Sequence, residues 1–255
     1  MNPSYKRIFR GAARLRWTPS KPFNLIRIMP SEGDTIQILG YIYRTDIFLC
    51  GNFISRRFLM RETRKRNIYA LCQSGIFIAL ATILSFLPVY EMPMGGSVTL
   101  ASMLPILFIG VKFGYKWGIG ASTTYMAIQL LQALIKGNVF IYCVGAGAVI
   151  ICLFFDYIVP FCILGLSAFS KPKEKEKVSI LKVCVTFSVL IFIRFLCHFI
   201  TGVVIWGQWA PEGMGKFFYS LVYNGSYMLP ELVLTVVITA LLLSSRQIER
   251  LMAEK

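Results

Sequence analysis

Six apolar runs, separated by short polar stretches, dominate the chain beyond residue 60: residues 68–90, 98–113, 115–135, a run within 139–169, then 178–206 and 218–243. A helix that crosses a bilayer needs about 20 apolar residues, so these runs read as membrane spans. The second is near the lower limit of length. In the fourth, Gly145 and Gly147 place a loop or broken helix ahead of a span near residues 150–169. Pro105 and Pro160, inside the second and fourth runs, predict kinks. Residues 1–59 hold no run of span length, and their best stretch, 35–43, ends at Arg44 and Asp46.

The polar stretches alternate between rich and poor in basic residues. Arg61, Arg64, Lys65 and Arg66 precede the first run, and residues 91–97 after it hold no basic residue. Lys112 and Lys116 flank the junction of the second and third runs, Lys136 alone follows the third, and Lys171, Lys173, Lys175 and Lys177 the fourth. Lys216 alone follows the fifth, and Arg246, Arg250 and Lys255 end the chain. Basic residues are retained on the cytoplasmic side. The pattern therefore predicts an all-α integral membrane protein, a six-transmembrane-helix bundle with N and C termini cytoplasmic.

Composition agrees. Of 255 residues, 56% are hydrophobic and 15% charged, too few charges to cover a soluble surface. The net charge of +15 would suit nucleic acid, but the loop alternation accounts for most of it beyond residue 60, and no nucleic-acid partner is expected. Residues 1–59 hold 10 basic and 3 acidic residues. Met60 opens Met60-Arg-Glu-Thr-Arg-Lys-Arg66, a typical cytoplasmic lead-in to a first span. Two parts are expected: a basic N-terminal extension over 1–59, either disordered or the product of an over-long start, and a membrane domain over 60–255.

Catalytic chemistry is sparse. Seven cysteines form no CxxC pair, and six of them lie in the runs, where they act as small apolar residues. One histidine cannot build a multi-histidine metal site, no cofactor motif stands out, and no GxxxxGK[ST] phosphate loop occurs. Too few groups remain for an intramembrane enzyme. If ATP drives the protein, another chain must hydrolyse it.

The informative residues are polar ones at membrane depth, each costing about 2.5–3.5 kcal/mol on insertion scales. They are Asp156, Arg194, His198 and Glu231. Arg194 and Glu231 fall mid-span and are expected to be structural, Arg194 pairing with Glu231 or Asp156. His198 lies one turn beyond Arg194 on the same helix face, and Trp206 eight residues further, where an interfacial aromatic belt would also place a tryptophan. Tyr219 and Asn224 open the last span across a short hairpin, and Asp156 sits deeper with Tyr157 beside it. An aromatic pocket with one carboxylate suits a flat, nitrogen-rich cation.

The stretch Arg194-Phe-Leu-Cys-His198-Phe-Ile-Thr-Gly-Val-Val-Ile-Trp206-Gly, with Phe218-Tyr219-Ser-Leu-Val-Tyr-Asn224, resembles the ThiT/YuaJ family, the thiamine-specific substrate-binding subunits of energy-coupling factor vitamin transporters. Met92-Pro-Met-Gly-Gly-Ser97-Val-Thr-Leu-Ala-Ser-Met-Leu-Pro105 and Asp156-Tyr157 are similar to the same family, and the resemblance covers about residues 60–250. It implies a subunit of the bacterial cell membrane that takes thiamine from outside in an outer-leaflet pocket. His198, Trp206, Tyr219, Asn224, Asp156 and Tyr157 would line that pocket. The implied partners are a transmembrane coupling subunit and two ATPase subunits. Some relatives carry Glu where Asp156 stands, and the small-xxx-small motif expected on the first span is degraded, Ala79 being followed four residues later by Ile83. The alternatives are a sister subunit for another vitamin or a thiamine precursor, such as riboflavin or hydroxymethylpyrimidine, and a stand-alone secondary transporter. For the last, no repeat relates residues 68–135 to 139–243.

Overall fold

The computed structural model describes residues 34–93, 95–137, 143–173 and 176–253, with side chains described from residue 60 onward. The chain divides into two units, Met1–Phe58 and Leu59–Lys255. The extension expected over residues 1–59 falls mostly outside the described residues, and only its backbone after Asp34 is described, within helix α1 (Asp34–Ser85).

In the membrane unit α1 supplies a span-length stretch within Met60–Ser85, apolar from Ile68 onward. That helix stops short of the expected residue 90. Pro88 disfavours helical backbone at the residue before it, and the chain turns into strand β1 (Pro88–Glu91). β1 pairs antiparallel with β2 (Ser97–Thr99), Glu91 opposite Ser97. The structure is mostly helical, with a local departure here: residues expected to open the second span form half of a hairpin. Helix α2 is only Leu104–Phe113, about 15 Å long. Pro105 sits in its first turn, where the missing N–H costs nothing, so it starts a helix instead of kinking one. Residues Leu104 to Lys112 are all buried, which makes α2 the centre of the apolar core.

Helix α3 (Tyr115–Lys136) follows Gly114, whose φ of 90° breaks the chain direction. Helix α4 (Ala146–Ser170) is irregular. An α-helical start gives way to a π-helical turn at Leu153–Ile158, a short α-helical piece at Val159–Cys162 and a 3₁₀ stretch at Ile163–Ser170. Pro160 cannot donate to the carbonyl of Asp156 four residues earlier, and the wide turn absorbs the misfit. Gly145, at a φ of 87°, ends the loop and caps α4, so the broken entry expected there is a loop up to Gly145. Helix α5 (Ile180–Val204) is capped by the Ser179 hydroxyl, ends in a 3₁₀ turn at Trp206–Trp209, and is followed by α6 (Lys216–Ser244) and the short amphipathic α7 (Arg246–Ala253).

Close helix approach rests on glycine. A Cβ on Gly165 of α4 would lie 2.6 Å from the Ile119 Cα of α3, and one on Gly110 of α2 would lie 2.1 Å from the Ser167 Oγ of α4. Three helices are thereby drawn together below the site. Among the described residues, four helices are long and apolar enough to cross a membrane: Met60–Ser85, Ala146–Ser170, Ile180–Val204 and Lys216–Ser244.

Candidate ligand-binding site

One cavity occupies the end of the bundle where α1 and α3 stop, α4 and α6 start, and α5 finishes. That end is opposite the Arg61–Arg66 cluster. The cavity has a volume of about 180 Å³.

Asp156 is its centre. The π-helical turn carries this carboxylate inward with Tyr157, and both are buried. Its Oδ1 accepts from the Thr201 hydroxyl and lies 2.9 Å from His198 Nδ1, while Trp206 Nε1 donates to Oδ2 at 3.4 Å. Three residues of α5 and its terminal turn therefore hold one carboxylate of α4. In the tautomer that carries its proton on Nδ1, facing the carboxylate, His198 presents Nε2 as an acceptor. That Nε2 is buried without a hydrogen-bond partner in the protein. The Arg194 Nε of the same cavity is likewise buried without a partner.

Asn224 is fastened to the scaffold. Its Nδ2 donates to the carbonyls of His198 (3.1 Å) and Ser220 (3.0 Å), and its Oδ1 accepts from Tyr227 Oη at 2.8 Å. Gly202 permits this contact: a Cβ there would lie 2.1 Å from Ser220 Oγ and 2.7 Å from Asn224 Nδ2. Tyr219 lines the mouth, its ring 5.6 Å from that of Tyr223. The cavity thus brings together all six residues expected from the sequence: Asp156, Tyr157, His198, Trp206, Tyr219 and Asn224.

The expected pairing of the two mid-span charges is not found. Among the described residues neither Arg194 nor Glu231 makes an ion pair within 4.0 Å. The Arg194 guanidinium lies 4.1 Å from the centre of the Phe161 ring and donates to Met103 Sδ. Glu231 accepts from the backbone N–H of Thr99 at 2.8 Å and from its hydroxyl at 2.9 Å. The hairpin residue supplies the donors that arginine was expected to supply, and both charged residues line the cavity floor.

Most of the wall was missed from the sequence. Tyr125, Gln129, Gln132 and Lys136 line it from α3, and their spacing of four, three and four on an apolar helix marks one polar face. Tyr219, Tyr223 and Tyr227, spaced by four, give α6 the same signal. The hairpin's contribution, Glu91 with Gly95 and Gly96, carried none. Glu91 forms an ion pair with Lys136 across the mouth, and Tyr223 Oη donates to the Gly95 carbonyl at 3.0 Å.

Apolar helices enclosing a polar, aromatic-walled cavity at one end define a multi-pass membrane protein. Residues 71–250 match the family model described as Thiamine transporter protein (Thia_YuaJ), and the chain belongs to that family. It is 33% identical over 191 residues to Thiamine transporter ThiT of Bacillus subtilis, covering 70% of this chain and 92% of the relative. It is 27% identical over 192 residues to Thiamine transporter ThiT of Lacticaseibacillus paracasei, covering 70% and 89%. A solved structure of ThiT from Listeria monocytogenes shares the fold, with a TM-score of 0.52 at 21% identity over 71% of this chain and 97% of that one.

Proposed function

We propose that the chain is the thiamine-binding membrane subunit of an energy-coupling factor uptake transporter. Thiamine joins a positively charged thiazolium ring to an aminopyrimidine. The observation that carries the reading is the buried Asp156 carboxylate, ringed by His198, Thr201 and Trp206. A negative charge fixed beside aromatic faces stabilises a flat cation, and the unpartnered Nε2 of His198 is suited to accept from an exocyclic amine. Trp206, Tyr157 and Tyr219 supply ring faces. Asn224 acts through the Tyr227 hydroxyl and the His198 carbonyl, holding the wall in place.

In this reading both termini are cytoplasmic and the cavity faces outward, at the end opposite the basic cluster. α2 and α3 complete six crossings. The short α2 can serve because the hairpin before it lines the cavity, where non-helical backbone is tolerated at membrane depth. A coupling subunit in the membrane and two ATPase subunits supply the energy, since this chain carries no phosphate loop.

Isothermal titration of the purified chain tests the ligand. Saturable heat with thiamine, not displaced by riboflavin and only weakly by hydroxymethylpyrimidine, is the expected result. Tighter binding of either competitor would replace thiamine as the substrate.

A further inference from the structure

The end of the bundle remote from the cavity carries a second concavity. Between α1 and α3 lies a groove lined by Met60, Arg64, Asn67, Ile68, Leu71 and Trp117 among others. On α1 these residues recur at spacings of three and four, so a single helix face carries them, with Arg64 one turn from both Met60 and Ile68. Met60, Ile68 and Leu71 are 64%, 54% and 61% exposed. Trp117, half-buried, closes the groove from α3.

The groove lies where the basic stretch Arg61–Arg66 meets the apolar run from Ile68, a charge step of the kind that marks a membrane surface. Its charge is uncompensated. Arg64 has no carboxylate partner among the described residues, because the neighbouring Glu62 pairs with Lys65 at 3.1 Å. Lys116 adjoins Trp117, and Arg61 and Arg66 flank Arg64 in sequence. Lys112 is buried nearby with its Nζ 5.4 Å from the centre of the Tyr69 ring and no hydrogen-bond partner. An apolar floor with a cationic rim at the membrane boundary matches one amphiphile, a phospholipid whose headgroup is negative.

We propose that this groove binds a single anionic phospholipid, its phosphate on Arg64 and Asn67 and an acyl chain along Ile68, Leu71 and the Trp117 ring. A soluble anion would leave the three exposed apolar side chains uncovered, so the lipid is the better fit to the whole lining. Only the leaflet that supplies it rests on the orientation proposed above; the binding itself does not.

Brominated lipids, which quench tryptophan on contact, test the assignment on the full chain in phosphatidylcholine vesicles. Brominated phosphatidylglycerol is expected to quench at about fivefold lower mole fraction than brominated phosphatidylcholine. The preferential part is expected to vanish in Trp117→Phe and to fall to the phosphatidylcholine level in Arg64→Gln, with thiamine affinity unchanged in both. Glycerophosphate, the headgroup without acyl chains, is expected to displace nothing at matched concentration. Equal quenching by the two lipids would overturn the proposal. So would a preference that survives either substitution, or displacement by glycerophosphate. Loss of thiamine binding by the unaltered chain would instead remove the proposed function and leave the groove's lipid preference standing.

Discussion

Asp156 concentrates the chemistry of the site, and its three protein partners make its removal informative. Asp156→Asn keeps the shape and one acceptor but loses the charge. A charge-assisted interaction contributes about 1.5–3 kcal/mol, so thiamine affinity is expected to fall about 10- to 100-fold, measured by titration of protein whose helicity is intact. Trp206→Ala is expected to weaken binding as strongly, through the lost ring face. Asn224→Ala removes no direct contact in this account. It frees the Tyr227 hydroxyl and the His198 carbonyl, and is expected to lower thermal stability as well as affinity. Asp156 and His198 were legible because ionisable residues are costly in hydrocarbon, and Tyr157, Trp206, Tyr219 and Asn224 because they lie beside them in sequence or across one short hairpin. Arg194 and Glu231 were equally conspicuous, yet their partners were misjudged. Opposite charges on neighbouring spans suggest a pair, and nothing in the sequence reveals that a hairpin amide would reach Glu231 first.

At the scale of elements, long helices were legible and their interruptions were not. α3, α5 and α6 follow the expected runs within a few residues, because hydropathy over 20 positions outweighs local preference. The β1–β2 hairpin was hidden inside two apolar runs. Its strands are shorter than any window that detects a span, and its anchor, Glu231, lies 132 residues from Thr99. That anchor is testable. Glu231→Leu leaves the buried Thr99 amide unsatisfied, so hydrogen exchange at Thr99 is expected to quicken about tenfold or more; unchanged exchange would mean the hairpin is held by other contacts. Glycines offer a paired test. Gly165→Ala forces a Cβ to within 2.6 Å of the Ile119 backbone and is expected to cost about 1–3 kcal/mol. Gly147→Ala in the same helix meets nothing within 4 Å and is expected to hold or raise stability by about 0.5–1 kcal/mol. Thermal unfolding in detergent distinguishes the two.

For the molecule as a whole, the division of labour is between its two ends. One end holds a carboxylate among rings; the other holds Arg61, Arg64, Lys65 and Arg66 at the membrane edge. The excess of positive charge therefore says little about a ligand, and the proposed ligand rests on the buried Asp156 carboxylate at the other end. Vesicles containing only this chain are expected to bind thiamine without accumulating it. Co-reconstitution with a coupling subunit and its ATPases is expected to give ATP-dependent uptake, and accumulation by the chain alone would favour a secondary transporter.

The central claim is that Asp156 and its aromatic surroundings form a thiamine site. Tryptophan fluorescence of the purified chain, titrated with thiamine beside Asp156→Asn, tests it most directly, because Trp206 reports from within the site. A saturable quench with one binding site, shifted about 10- to 100-fold to higher thiamine in Asp156→Asn, is expected. No saturable change in the unaltered chain, or identical curves for the two proteins, would contradict it.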